Sequence, residues 1–544
     1  MSKRNGLIVA LTAMVATLLS FFVLLTPIPS ASDTGFSAVA AASYISEISK
    51  EPHATSDEDA HERVRMYLKD TLSEFIGAGN VTEMNYAKEV VGDGCEYDIK
   101  NLLGVIQGSS DTGIMLVAHY DSRGHIGRAG ELGRSYGAAD DGYGLATMLE
   151  IARLYGNKTL TNSIYLLFTD GEETGLYGAR MAATETTLMD KIGFVINIEA
   201  RGIQGAAYMF ETSVKNDKVI DFYRHADLPV SYSLATAVYT VMPNMTDFTE
   251  FLAIGKAGVN FAVLDGLYYY HTPLDKFDNI NLSSIQHYGE QIVPLVEEFV
   301  NNAKYSSTDY FTGTSDHVFF TLFPNVFINY SETFAIILNF VILAALVGLI
   351  VMLAITKKVA ILGILKQIGY VFGALTITAL FGLFVSRFIA FVGRVPWSLT
   401  YVRMQGTELP TLLIMGLVTL GVWFALKKWH GTPAKKTELL IAGTSVNLLL
   451  AIVTGFVLSG ASFLFMIPAL LSVIALWVRT LCQKRFVKHI AFGFVTFLSI
   501  LLALPILYSL FLALTVGGLL ALLVILMLFL AVVIPSAQLQ LAIE

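Results

Sequence analysis

Two adjacent glutamates, Glu172 and Glu173, stand in the stretch Phe168-Thr169-Asp170-Gly171-Glu172-Glu173-Thr174-Gly175. A Glu pair can divide two tasks. One carboxylate holds a metal, and the other takes a proton from water activated by it. Alone, such a pair is ordinarily a solvated turn, but four further clusters accompany it. They are His119-Tyr120-Asp121-Ser122, Gly137-Ala138-Ala139-Asp140-Asp141-Gly142, Asn197-Ile198-Glu199 and Tyr270-His271-Thr272-Pro273. Two imidazoles with several carboxylates form a nitrogen and oxygen ligand set, which suits zinc or another divalent first-row ion. With only Cys95 and Cys482 in the chain, a disulfide framework and a cysteine zinc site are both excluded.

The elements around these clusters would bring them to one place. Residues 163–169 are short, apolar and β-prone, and read as a buried strand that Asp170-Gly171 ends. Residues 102–107, 114–118, 193–198 and 259–264 read as further strands, and residues 142–155 as a helix. Acidic residues 57–59 start another helix, whose Val64, Tyr67, Leu68, Leu72 and Phe75 recur at helical spacing. Strands alternating with helices predict an α/β layered sheet. In such sheets the carboxyl ends of the strands form the ligand site, and the polar clusters follow the strands there.

The five clusters, in this order, resemble the motifs of the M28 zinc metallopeptidase family, and the resemblance spans roughly residues 45–305. It implies a three-layer α/β/α domain with a mostly parallel mixed sheet, two zinc ions per chain and a peptide substrate. His119 would bind one ion and His271 the other, with Asp140 bridging. Glu173 would complete the site of His119, and Glu199 that of His271. Glu172 would be the general base, and Asp121 would orient His119 through its other ring nitrogen. Asp275 is expected to act similarly near His271, and Asp141 to start a helix. Soluble members often carry Asp where Glu199 stands. The segment 123–136 is longer than expected between the first two motifs and is expected to narrow the cleft. His125 in it reads as a loop residue and His53 as structural. Arg201 either meets a substrate carboxylate or lies on the surface. Of Tyr268, Tyr269 and Tyr270, two are expected to pack in the core and one to wall the pocket.

The rest of the chain is of another kind. Of 544 residues, 54% are hydrophobic and only 15% charged, too apolar for an ordinary soluble protein. From Ser331 onward the charge is +10, which leaves −18 for residues 1–330. Residues 6–26 form an apolar run behind Lys3 and Arg4, read as an anchor or signal within residues 1–30. The metallopeptidase-like domain is placed at 35–310. Between 330 and 535, apolar runs of spanning length recur at 334–355, 367–391, 410–426, 438–458, 461–478, 489–508 and 511–534. Basic clusters follow the first, third and fifth of these runs. They therefore place the acidic domain outside the cytoplasm, and the short loops favour a bacterial plasma membrane over an endoplasmic reticulum or vacuolar membrane. No Asp or Glu lies deep in the runs, which argues against an ion-coupled transporter, and Asn447 reads as interhelical glue. Multi-span membrane peptidases of the M28 class have this layout. The partners expected are peptide and lipid bilayer and no nucleic acid, with the oligomeric state open. Two other readings are a ligand-poor M28-like scaffold and a single-zinc glutaminyl cyclase. The complete ligand set weighs against both.

Overall fold

All eight residues of the strand Asn162–Thr169 are buried. Both of its faces are covered, so its middle, Ile164 to Phe168, is continuously apolar rather than alternating. In the computed structural model it stands beside the centre of a seven-stranded sheet. The strands are β1 (Val81–Asn85), β2 (Lys100–Ile106), β3 (Ser110–His119), β4 (Asn162–Thr169), β5 (Ile192–Ala200), β6 (Gln204–Thr212) and β7 (Gly258–Asp265), in the order β1-β2-β4-β3-β5-β7-β6. The structure describes all residues except 1–2, 87–88, 91–95, 125–133, 241–243, 401, 430–431 and 544. Strands β4, β3, β5 and β7 run parallel, while β1, β2 and β6 are antiparallel to their neighbours. The pattern of the chain predicts the inner strands and leaves out the edge strands β1 and β6. Edge strands need only one paired side, so polar residues are tolerated there.

The helices of the first part include α1 (Lys3–Ser20), α2 (Ala38–Ile48), α3 (Glu58–Ile76), α4 (Gly142–Tyr155), α5 (Glu172–Gly175), α6 (Asp247–Ala253) and α7 (Leu282–Asn301), besides four further short ones between α5 and α6. Strand alternation sorts α2 to α4, α6 and α7 into two outer layers. Ile114 and Leu116 of β3 share a core with Ile45 of α2, Leu68 of α3, Leu149 of α4 and Ile292 of α7. Their neighbours Met115 and Val117 face the other way, onto Phe248 and Phe251 of α6. The result is a three-layer α/β/α domain with a mixed sheet, as the family resemblance implies.

The chain divides into two compact units, Leu24–Asn329 and the pair Met1–Val23 with Tyr330–Glu544. The second unit is helical. With α1 it holds α8 (Glu332–Ile355), α9 (Ile361–Gly393), α10 (Glu408–Trp429), α11 (Pro433–Val457), α12 (Ser462–Leu481), α13 (Arg485–Leu514) and α14 (Leu519–Leu541). These helices are long and apolar enough to cross a bilayer, and the chain is a membrane protein on that ground. The last two form one apolar stretch of 57 residues. A turn at Thr515–Gly518 divides them, later than the break between the runs 489–508 and 511–534, and Pro505 near that break lies inside α13. Helix α13 runs past its proline, since neighbouring groups in a packed bundle compensate the lost backbone bond. Asn447 Nδ2 donates to the carbonyl of Leu528 at 3.1 Å and Asn339 Nδ2 to that of Ala451 at 3.0 Å. Both are bonds between helices.

Candidate active site

His119 is the last residue of β3 and is buried. Its Nδ1 lies 2.8 Å from the carbonyl oxygen of Asp121. A carbonyl only accepts, so Nδ1 carries the hydrogen, and in the neutral ring Nε2 keeps its lone pair. Nε2 faces Asp140 Oδ1 at 3.4 Å and Glu199 Oε2 at 3.8 Å. On the far side, His271 Nε2 lies 3.0 Å from Glu173 Oε1 and 3.3 Å from Asp140 Oδ2. Asp140 therefore offers one oxygen to each histidine. This geometry corrects one expected pairing: Glu173 stands with His271, and Glu199 with His119. Glu199 belongs to β5, the direct neighbour of β3, whereas α5 carries Glu173 beyond the end of β4 to the far side.

Each of these side chains is held from behind. Gly171 adopts φ 70°, strained for an L side chain, and so lets the chain turn from β4 into α5. Both oxygens of Asp121 accept backbone N–H groups there, from Glu172 and from Glu173, each at 3.1 Å. The Asp121 carboxylate thus fixes the glutamate pair. It is the Asp121 carbonyl that orients His119, and the carboxylate stands 3.5 Å from Nδ1. Arg123 Nη1 donates to the carbonyl of Glu173 at 2.7 Å and to its Oε2 at 3.2 Å, leaving Oε1 toward His271. Asp141 caps α4, accepting from Gly144 at 3.1 Å, and also accepts the His119 N–H at 3.3 Å. His119, Asp141 and Glu199 offer ligand atoms within 4.8 Å of one another, as do Asp140, Glu173 and His271. In the first group Asp141 has both oxygens engaged by N–H donors, so Asp140 is the better ligand.

Asp275 braces the turn that carries Asp140. It accepts the N–H groups of Ala139 at 2.7 Å and Asp140 at 3.2 Å, and the Ser135 hydroxyl at 3.1 Å. It supports Asp140 directly, a different part from the expected one near His271. Asp275→Ala is expected to lower metal affinity about 10–100-fold, as loss of a supporting partner does, in a competition titration against a chromophoric chelator. Unchanged affinity would show that the turn holds Asp140 by itself.

The electrostatics are those of a crowded acidic cavity. Burial raises Glu172 well above the usual carboxylate range, helped by the charges of Glu199 and Glu173. Burial and the neighbouring acids bring Glu199 to about 8. For Asp140 burial acts upward, but hydrogen bonds to His119 and His271 outweigh it and hold it below its ordinary value. Asp140 Oδ2 and Glu173 Oε1 are both buried and both face the single Nε2 of His271, at 3.3 and 3.0 Å, whose one hydrogen cannot satisfy the two. Buried acceptors without donors are costly, and a divalent cation between them would remove that cost. The donor set is imidazole and carboxylate, which fits zinc.

Some of this was not read from the sequence. Asp247, at the start of α6, is 1% exposed and hydrogen-bonded to the Thr169 hydroxyl. Burial brings it to about 7, and it feels the charge of His119. Asn197 Nδ2 donates to Glu199 Oε1 at 3.2 Å and to Asn260 Oδ1 at 3.1 Å, and Asn260 Nδ2 donates to Glu211 at 2.9 Å. The available signal was a polar Asn within each of two otherwise apolar strands. His125 lies outside the described residues. His53 is buried and held at about 4 by burial, a structural residue as expected. Tyr270 stacks on His271 with centroids 3.6 Å apart, and Tyr269 packs against the core. Arg201 directly follows β5 and is partly exposed.

Beneath the glutamate turn, His61 Nε2 and Asp170 Oδ1 form an ion pair at 2.9 Å. Burial pushes the His61 pKa down, and the Asp170 carboxylate raises it by more, so it ends above its ordinary value. The folded state then holds this proton more tightly than the unfolded chain does. The stabilisation is fully present below about pH 6.5 and is lost as pH rises through the folded value. The melting-temperature advantage of the native chain over His61→Asn is expected to shrink by a few degrees between pH 6 and 8. An advantage independent of pH would contradict the pairing.

Residues 101–296 match the family described as Peptidase family M28. The chain carries an M28 peptidase domain. Over 216 residues it is 32% identical to the putative endoplasmic reticulum metallopeptidase 1 of Schizosaccharomyces pombe, covering 38% of this chain and 25% of that protein. It is 27% identical over 313 residues to a vacuolar membrane protease of Candida dubliniensis, covering 55% and 31%. To the mouse endoplasmic reticulum metallopeptidase 1 it is 27% identical over 245 residues, covering 44% and 26%. The chain thus spans about a quarter to a third of the length of these relatives. Among solved structures, a Zn-dependent exopeptidase from Parabacteroides distasonis aligns at TM-score 0.40 and 19% identity, over 49% of this chain and 99% of that one. A Porphyromonas gingivalis glutaminyl cyclase aligns at 0.39 and 20%, over the same shares.

Proposed function

We propose that this membrane protein is a zinc-dependent aminopeptidase that uses two metal ions. The observation that carries the reading is the Asp140 carboxylate, placed between His119 and His271 with one oxygen toward each. His119, Asp140 and Glu199 would hold one ion, and His271, Asp140 and Glu173 the other. Bound there, the ions would supply Lewis acidity toward a scissile carbonyl and its attacking water.

The chain's own groups do the rest. Glu172 takes a proton from the attacking water and passes it to the leaving amine nitrogen. Asp121 fixes that glutamate by its backbone. The buried acids Asp247 and Glu211, which hold neither ion, favour a substrate that brings a positive charge, and a peptide's free N-terminal ammonium is that charge. The family's domain and the long apolar helices support a peptidase held in a bilayer. The basic clusters after the first, third and fifth C-terminal helices support a catalytic domain outside the cytoplasm.

The test is hydrolysis of dipeptide amides with free and acetylated N-termini, before and after chelation and zinc return. Zinc-restored release of the first residue from free N-termini alone is expected. Equal cleavage of acetylated peptides would remove the aminopeptidase reading, and cyclisation of N-terminal Gln without hydrolysis would replace it by a cyclase.

A further inference from the structure

The helical unit holds a cavity of about 910 Å³ walled by α1, the first half of α13 and the end of α14. Helix α1 runs beside α13 in the same direction. At one end Asn5 Nδ2 donates to the carbonyl of Ile543 at 3.0 Å, and further along, the rings of Phe21 and Tyr508 meet edge-on at 6.3 Å. This alignment gives the cavity two unlike ends. Asn5, Arg485, His489 and Gln540 lie at the first.

Gln540 is 2% exposed. Its Nε2 donates to the carbonyl of His489 at 3.1 Å, while its Oε1 is buried with no donor. In a bilayer, where water is scarce, an unmet acceptor of this kind calls for a ligand with a hydroxyl or amide hydrogen. Arg485 supplies the cation, with Lys484 and Lys488 beside it in the chain. Away from this end the walls are apolar, with Leu11 and Val15 on one side and Phe494 and Phe497 on the other. From Arg485 to Phe497 α13 rises ~18 Å, close to half the ~30 Å thickness of the hydrocarbon core.

A charged, acceptor-bearing head and an apolar trough one leaflet deep match one class of molecule. We propose that this groove binds an anionic glycerophospholipid with a hydroxyl-bearing headgroup, of the phosphatidylglycerol type. The phosphodiester meets Arg485, a headgroup hydroxyl donates to Gln540 Oε1, and one acyl chain lies between Leu11 and Phe497. A choline headgroup has no hydroxyl to donate and brings a second cation to Arg485. A basic pocket between helices is the setting in which anionic headgroups are held.

The full chain, purified in detergent, is mixed with equal amounts of dioleoyl phosphatidylglycerol and dioleoyl phosphatidylcholine, and bound lipid is read by native mass spectrometry. Phosphatidylglycerol is expected to be retained about tenfold over phosphatidylcholine, the equivalent of one charge-assisted contact. Arg485→Gln, and Leu11→Trp placed to fill the trough from an exposed position, should each bring the ratio within about twofold of unity while the melting temperature holds. Gln540→Met should lower it too. Equal retention by the native chain would overturn the proposal, as would a ratio untouched by both surface variants. Displacement by millimolar glycerol 3-phosphate would also overturn it, because the site would then be one for a free phosphate.

Discussion

Glu172→Gln is expected to lower kcat by about 10²–10⁴ while the protein keeps its full complement of zinc. The amide has the shape of the carboxylate, and the Glu172 backbone remains fixed to Asp121 Oδ1 at 3.1 Å, so the turn should persist. What disappears is the capacity to take a proton. Burial and the charges of Glu199 and Glu173 set Glu172 well above an ordinary glutamate. Cations bound to those neighbours would cancel much of the repulsion and bring the group back toward neutrality, where a general base works best. Glu173 is the contrasting case, with Oε1 3.0 Å from His271 Nε2. Metal analysis beside hydrolysis rates separates the two. If Glu172→Gln loses zinc and Glu173→Gln keeps it, the two glutamates exchange roles.

Asp140→Asn is expected to weaken binding of both ions together, by about 10²–10⁴-fold. That is the cost, about 3–5 kcal/mol, of taking one partner from a buried ionic set. The carboxylate addresses His119 with one oxygen and His271 with the other. An amide keeps one oxygen and turns an N–H₂ group toward the second site, which repels a cation. Substituting a ligand of one site alone, as in Glu199→Gln, should instead cost chiefly that site. Zinc content measured after dialysis at graded free zinc tells these apart. Two tightly held ions in Asp140→Asn would show that the aspartate does not bridge.

These expectations rest on groups whose types were legible in the chain. The apolar run 163–169, the acids behind it and the histidines at 119 and 271 are local signals, and local sequence sets strand period and turn chemistry. The long apolar helices were legible for the same reason, since spanning a bilayer requires length and hydropathy within one segment. Edge strands β1 and β6 were not, because a strand paired on one side tolerates the polar residues that hide its period.

The chain by itself determined which residues form the acidic, imidazole-bearing rim and that a membrane region follows it. Only the tertiary structure decided how those residues pair. Sheet order places Glu199 beside His119 and leaves Glu173 to His271. Asp275, distant in sequence, holds the Asp140 turn, and Asp247 and Asn260 enter from elements with no motif of their own. Pairing follows from strand order and register, which are set by side chains packing across the sheet from far along the chain. No local window of residues carries that information.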